Sequence, residues 1–446
     1  MTFVGSDRIG AGQKTAFVAS NAATAFSWGF ITSYFMMFCT DAAGIPVAVA
    51  SVILLASRLI DGFTDALVGN ILDRTVTRWG RYRPWIALLA VPVAVLTSLL
   101  FYIDSGWSDA ARIAWVIVTY FLYLLAFTGL NTSLSAMSSV MSGDPCERAN
   151  IISLQRAAGI MGALIMAQIA APWFESNGSD VVESYVLLSV FFGFASVPLF
   201  LLTPAFCKER IVPDDTVKKS YRLRAIMKQN ARIREFRIAF VGHFLNGLIS
   251  YGRVSIFVYY FKYVAGSMGM YATYILVMRL SQMLGAWSAQ YLMKWFKAPG
   301  KALVVAYVLY GLILVTEFFV PPVGETLPLF WALVVLASFL FGVSNSMVYI
   351  IIPDLVDYCE YRNGTRNDGG IFALLEFGNK VGMALGTSGI GFVLSALGYT
   401  ANMAQTGDVV VGINALMFVL PGIFSVLIGL MFVRYHLSRT HLHAGE

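Results

Sequence analysis

Asp61, Thr64 and Asp65 put two carboxylates and a hydroxyl within about one helical turn. They lie in an otherwise apolar run, Pro46 to Leu72, that also holds Arg58. At i and i+4 the carboxylates share a helix face, and Thr64 adjoins it. Hard oxygen ligands of this kind suit a small hard cation. Two close carboxylates also raise one another's proton affinity, which suits proton carriage. The alternative is an interhelical salt bridge with Arg58 or a distant lysine. One carboxylate would satisfy that bridge, and two are present.

A complementary charge lies far along the chain. In IFALLEFGNKVGMALGTSG, Gly378, Gly382 and Gly386 recur every four residues, a stripe of small residues for close helix packing. Lys380 falls about 200° around from Gly378, away from the stripe. Glu376 is one turn before Lys380 and shares its face. Either the two form a pair within the helix, or Lys380 reaches the carboxylates at 61 and 65, or the substrate, and moves when a cation binds. Thr128, Asn131, Thr132, Ser133 and Ser135 form a polar run in another apolar stretch. Glu147, Arg148, Gln155 and Arg156 open the next. Arg156 is two turns in, where a guanidinium can grip paired hydroxyls or a carboxylate. Ser344, Asn345 and Ser346 are cheap to bury between helices.

The elements that hold these residues follow from composition. The 446 residues are 58% hydrophobic and 13% charged, with mean hydropathy +0.71. A soluble domain carries about 25% charged residues, so a large soluble enzyme is excluded. Apolar runs give twelve spans, at about 15–39, 46–72, 84–103, 111–141, 149–173, 182–203, 237–263, 269–293, 301–320, 328–352, 369–398 and 409–433, each long enough to cross about 30 Å of hydrocarbon. The polar start MTFVGSDRIGAGQKTAF is unlike a cleavable leader, so the first span is expected to act as the insertion signal. The four cysteines and four histidines have no metal-ligand spacing. No nucleophile–base pair points to an enzyme and no cofactor is expected.

Basic residues set the orientation. Arg74, Arg78, Arg81 and Arg83 follow the second span, and Lys294, Lys297 and Lys301 follow the eighth. Between the sixth and seventh, Lys208, Arg210, Lys218, Lys219, Arg222, Arg224, Lys228, Arg232 and Arg234 outnumber Glu209, Asp214, Asp215 and Glu235. The opposite connections are acidic or neutral. Both termini are therefore expected in the cytoplasm of a bacterial inner-membrane protein. The +6 net charge is an orientation signal, and no nucleic-acid partner is expected. The long connection splits the chain six plus six, at about 1–203, 204–236 and 237–446. That is the pattern of transporters whose two halves rock about a central site.

A charge at mid-bilayer costs about 2.5–3.5 kcal/mol, so Asp61 plus Asp65 facing lipid would cost about 5–7 kcal/mol. They must face protein or water.

Three segments carry a resemblance: RLIDGFTDALVGNILDRTVTRWGRYRPW, NTSLSAMSSVMSGDPCERANIISLQR and PDLVDYCEYRNGTRNDGGIFALLEFGNKVG. They resemble the glycoside–pentoside–hexuronide:cation symporters of the major facilitator superfamily, over the whole chain. The resemblance implies an all-α membrane fold of twelve helices in two halves. It implies a site for Na⁺ or H⁺ at Asp61, Asp65, Thr64, Thr128 and Lys380, the aspartates acting as metal ligands. Arg156 matches an arginine of the family's sugar site. Asn131 stands where a well-known member has a sugar-binding aspartate. Arg148 and the loop 353–368, with Asp354, Asp357, Glu360 and Arg366, resemble a gating charge network on the cytoplasmic side.

The departures fall on the substrate. Thr24 and Ala25 replace a Lys–Asp pair, Ser135 and Asn345 replace tryptophans, and Glu376 replaces a threonine. Asn21, Asn131, Asn345, Arg156 and Glu376, with Phe26 or Trp28 nearby, could still hold a polyol or an acidic sugar. The expected protein is a monomeric symporter, its partners a sugar-like solute, a monovalent cation and the bilayer. The rivals are a carrier of amphiphilic or lysolipid-like molecules and a non-transporting sensor or scaffold.

Overall fold

A computed structural model describes residues 9–75, 77–104, 106–142, 145–178, 181–210, 223–296, 299–364 and 368–435. Twelve long helices run through them, α1 Ala11–Ala42, α2 Val47–Arg74, α3 Arg83–Leu100, α4 Asp109–Val140, α5 Pro145–Asn177, α6 Val182–Phe206, α8 Arg234–Tyr263, α9 Met268–Phe296, α10 Pro299–Phe318, α11 Leu327–Ile350, α13 Asp368–Ala396 and α14 Gly407–Phe432. They fall on the twelve expected spans. Two short helices, α7 Leu223–Asn230 and α12 Ile352–Asn363, lie between them. Among the described residues, eight helices are long and apolar enough to cross a membrane by length and composition alone. The other four long helices are α2, α8, α9 and α13, which the sequence loads with internal charge: Asp61 and Asp65, Arg253, Arg279, Glu376 and Lys380.

The chain divides into two compact units, Met1–Lys218 and Lys219–Glu446. In the first, aromatic rings make the core between α1, α3, α5 and α6. Phe101 packs near Phe30 at 4.9 Å and Phe38 at 5.0 Å, and Phe174 meets Tyr185 at 4.6 Å. Rings dominate because each buries a large area and gains further from tilted contacts. In the second, α13 lies directly on α8. A Cβ at Gly382 would stand 1.9 Å from the Phe244 carbonyl oxygen, and one at Gly386 2.3 Å from that of Leu248. From the other side, a Cβ at Gly247 would stand 2.2 Å from the Asn379 carbonyl oxygen. The expected stripe of small residues is thus an interface of backbone against backbone, the contact that small residues permit in a bilayer.

The expected loop 353–368 is corrected in its first part. Residues 352–363 form α12, because Ile352, Leu355, Val356 and Cys359 are buried at spacings of three, one and three. The helix stops at Gly364, whose φ of 68° is the left-handed cap conformation. The connection after α6 likewise holds a helix, α7, anchored by buried Ile226. Asn363 Nδ2 donates to Asn230 Oδ1 at 2.8 Å and ties the two short helices together.

Candidate functional site

In the first unit, α2 is one uninterrupted helix, so positions 61 and 65 are one turn apart on it. The side chains of Asp61, Asp65 and Arg58 lie outside the described residues, as do those of Arg148 and Arg156. Thr64 is described and buried. Its helix packs on α4, where Thr128 is also buried. The approach is close: a Cβ at Gly129, next to Thr128, would lie 3.8 Å from Val68 Cγ1, one turn past Thr64. Two hydroxyl-bearing turns of neighbouring helices therefore pack side by side, with the aspartate-bearing turns on the same stretch of α2. Further along α4, Asn131 and Ser135 are exposed. With Thr128 they recur at three and four residues, one polar stripe along the helix. Gln155 Nε2 of α5 reaches Ser135 Oγ at 3.4 Å.

The helix α1 is not a plain α-helix. It loosens into π turns over Ala25–Gly29 and Phe38–Ala42. Such bulges often mark functional stretches, and the first begins at the substrate candidates. Thr24 Oγ1 donates to the Asn21 carbonyl at 2.7 Å, and Asn21 Nδ2 to that of Phe17 at 2.8 Å. Asn21 and Ala25 are buried. Ser27 Oγ, inside the π turn, is held by Thr97 Oγ1 at 2.8 Å and Tyr123 OH at 2.7 Å. The two aromatic candidates differ. Both are half-buried, but Phe26 tilts against Phe192 at 5.7 Å and 47°, whereas Trp28 lies flat on Phe127, 5.0 Å away at 6°.

A half-buried carboxylate fixes one end of this unit. Glu209, just past α6, accepts from the backbone N–H groups of Arg81 and Tyr82 at 2.8 Å each and of Arg83 at 3.1 Å. It thus caps the start of α3. Arg83 donates from Nε and Nη2 to the Pro204 carbonyl. Burial pushes the adjacent Cys207 thiol up to about 11, against the lowering pull of the Arg83 guanidinium. Lys14 Nζ meets Glu147 Oε2 at 2.9 Å, tying α1 to α5. The arginines near 81–83, read only as an orientation signal, also do this local work. The signal in the sequence was Gly80, whose φ of 107° marks a turn.

In the second unit, Lys380 is exposed and Glu376 half-buried on α13. Asn345 of α11 accepts at Oδ1 from Asn246 Nδ2 of α8 at 3.0 Å, and Tyr307 OH donates to Asn246 Oδ1 at 3.1 Å. One substrate candidate is therefore the end of a polar chain across three helices. Asp354, Asp357 and Glu360 are half-buried on α12. Arg366 lies outside the described residues.

The same unit holds a charge cluster that sequence reasoning missed. Arg253 is buried in α8 and donates to Tyr310 OH at 2.7 Å, Tyr274 OH at 2.9 Å and the Met417 carbonyl at 3.2 Å. Met417 lies in a third π turn, Ala415–Val419, within α14. Glu317 of α10 is 1% exposed, with both carboxyl oxygens lacking a hydrogen-bond partner among the described residues. Intramembrane charge was the available signal, but each residue stands alone in its helix.

Comparison with known proteins is consistent across sequence and fold. The sequence pattern of the family described as MFS/sugar transport protein matches residues 16–439. The chain is 28% identical over 440 residues, 97% of its length and 93% of the relative's, to YagG of Escherichia coli (strain K12), a provisionally named glycoside/cation symporter. It is 26% identical to the isoprimeverose transporter of Lactiplantibacillus pentosus, over 89% of this chain and 82% of that one. It is 26% identical to the glucuronide carrier protein homolog of Escherichia coli (strain K12), over 93% and 89%. Among solved structures, the nucleoside transporter NupG aligns with TM-score 0.65 at 14% identity, over 95% of this chain and 98% of that one. A bacterial homolog of the human lysosomal transporter Spinster aligns with TM-score 0.66 at 15% identity, over 96% and 97%. At those identities the structures speak for the fold alone, an all-helical major facilitator fold. Sequence and fold together place this multi-pass membrane protein: the chain belongs to the MFS/sugar transport family, as a member of the glycoside–pentoside–hexuronide:cation symporters.

Proposed function

We propose that this chain takes up a sugar-like solute together with Na⁺ or H⁺, by alternating access. One observation carries the reading: buried Thr64 and Thr128 sit on tightly packed α2 and α4, on the stretch of α2 that bears Asp61 and Asp65. Intramembrane carboxylates are costly unless a cation or a partner meets them. The names of the relatives, an isoprimeverose transporter and a glucuronide carrier homolog among them, support a glycoside, pentoside or hexuronide as solute. Asp61, Asp65, Thr64 and Thr128 hold the cation, and Lys380 is the countercharge that moves away when it binds. On the first half, Asn21, Thr24, Ala25, Asn131, Ser135 and Arg156 meet the solute, with Trp28 on Phe127 as a flat platform for a sugar face. Asn345, Glu376 and Lys380 do so on the second. The network of Arg148, Asp354, Asp357, Glu360 and Arg366 gates the cytoplasmic side, with both termini in the cytoplasm and one chain as the working unit.

Replacing Asp61 or Asp65 by Asn tests the proposal. Uphill accumulation in vesicles with an imposed Na⁺ or H⁺ gradient should disappear, while downhill exchange of the same solute survives. A variant that still concentrates solute against its gradient refutes the assigned role.

A further inference from the structure

Three arginines converge on a groove at one end of the second unit. Arg234 and Arg237 lie on the first turn of α8, three residues apart and on one face. Arg434 follows the end of α14. Together they line a groove of about 670 Å³ between the two helices. All three are exposed, and among the described residues none has a side-chain hydrogen bond or an ion pair. The nearest acidic side chain in sequence, Glu235, is half-buried and does not line the groove.

The rest of the lining is apolar and uncovered. Val241 continues the Arg234–Arg237 face of α8 by one turn, and Leu427 and Leu430 precede Arg434 by seven and four residues on α14. Leu430 is 55% exposed and Leu427 44%. On membrane-crossing helices, apolar side chains exposed in this way face hydrocarbon. The groove is therefore cationic at the helix ends and oily one turn deeper. That profile matches one molecule in its surroundings, a diacyl phospholipid whose phosphate sits among guanidiniums while its chains lie along the helices. Guanidinium forks bind phosphate with paired, charge-assisted hydrogen bonds. Three cations and no opposing carboxylate in the lining favour a headgroup with net negative charge over a zwitterion. On the orientation that the basic loops favour, the groove opens to the cytoplasmic leaflet, where basic pockets between helices hold anionic headgroups.

We propose that the cleft between α8 and α14 is a binding site for an anionic phospholipid of the inner leaflet, gripped by Arg234, Arg237 and Arg434. A lipid with two phosphates uses the three guanidiniums most fully. Native mass spectrometry of the purified full chain tests this, with phosphatidylglycerol, cardiolipin or phosphatidylcholine added. The two anionic lipids should be retained in preference to phosphatidylcholine, cardiolipin most strongly. In the triple variant Arg234→Gln, Arg237→Gln and Arg434→Gln, affinity for cardiolipin should fall at least about tenfold, the factor that a loss of about 1.4 kcal/mol gives. Phosphatidylcholine retention should be unchanged. Excess inorganic phosphate should not displace the lipid, because the chains supply part of the binding. Equal retention of anionic and zwitterionic lipid, undiminished cardiolipin binding by a variant with the wild-type size-exclusion profile, or full displacement by phosphate overturns the site. If the triple variant misfolds, the single variant Arg237→Gln is read against the same three outcomes.

Discussion

At the scale of single residues, charge placement divides the chain into sites that can work and sites that hold. Arg253 holds. Its donors are taken up by two phenols and a carbonyl, while buried Glu317 has no hydrogen-bond partner among the described residues. Removing a buried cation that satisfies several acceptors costs about 3–5 kcal/mol. Arg253→Met should therefore lower the melting temperature of the detergent-solubilised protein by several degrees. Glu317→Gln keeps the shape but removes the countercharge that acts on Arg253, so scanning fluorimetry should find that temperature lowered too, by less than for Arg253→Met. Cys207 gives a pH prediction. Its thiol is raised to about 11 by burial, so folding opposes the thiolate. The contribution to stability is full below the unfolded value near 9 and declines as pH climbs from there towards 11. Alkylation of Cys207, followed by peptide mass spectrometry, should keep accelerating about tenfold per pH unit past pH ~9. A plateau by that pH would show an ordinary thiol. Only the intramembrane charges themselves were legible in the sequence, not what they meet. Arg253 meets residues on three other elements, and separations of 21 to 164 residues leave no local pattern.

At the scale of elements, much more was readable. Apolar runs of about 20 residues locate the twelve long helices, because a run of that length satisfies its own backbone hydrogen bonds in hydrocarbon only as a helix, the shorter strands of a closed barrel being the other solution. The four-residue glycine repeat of α13 foretold a close packing face, and α8 supplies the partner. Gly382→Val should force these helices apart, since a Cβ there already meets the Phe244 carbonyl at 1.9 Å. Reduced membrane expression and a monodisperse peak lost in size exclusion are the expected readouts, whereas Gly389→Ala, with nothing within 4 Å, should behave as wild type. At Gly80 two things oppose any side chain: φ, at 107°, and the Glu209 carboxylate, which would lie 2.5 Å from a Cβ. Gly80→Ala should therefore destabilise the α3 start, and trypsin should cut after Arg81 faster than in wild type. The π turns in α1 and α14 were not readable, because a bulge adds one residue without altering an apolar run. The helix α12 was readable in principle. Its buried positions 352, 355, 356 and 359 follow helical spacing, whereas the resemblance to a cytoplasmic charge network pointed to a loop.

At the scale of the molecule, the sequence carried the family through three motifs, and the coverage of residues 16–439 bears that out. The candidate site was legible as residue types at spacings on separate helices, Asp61 with Asp65, Thr128, Lys380. That Thr64 and Thr128 lie on neighbouring turns is set by the packing of α2 on α4, which no spacing encodes. The proposed mechanism makes these helices answer to two ligands at once. Binding free energies must then be reciprocal: whatever factor Na⁺ adds to solute affinity, the solute adds to Na⁺ affinity. The most direct test is isothermal titration of the purified protein with a bound glycoside or hexuronide, found by a thermal-shift screen, at zero and saturating Na⁺ and at two pH values. The account predicts that the solute Kd falls severalfold with Na⁺ or with protons, and that the cation Kd falls by the same factor with solute. A solute affinity indifferent to both Na⁺ and pH would contradict it.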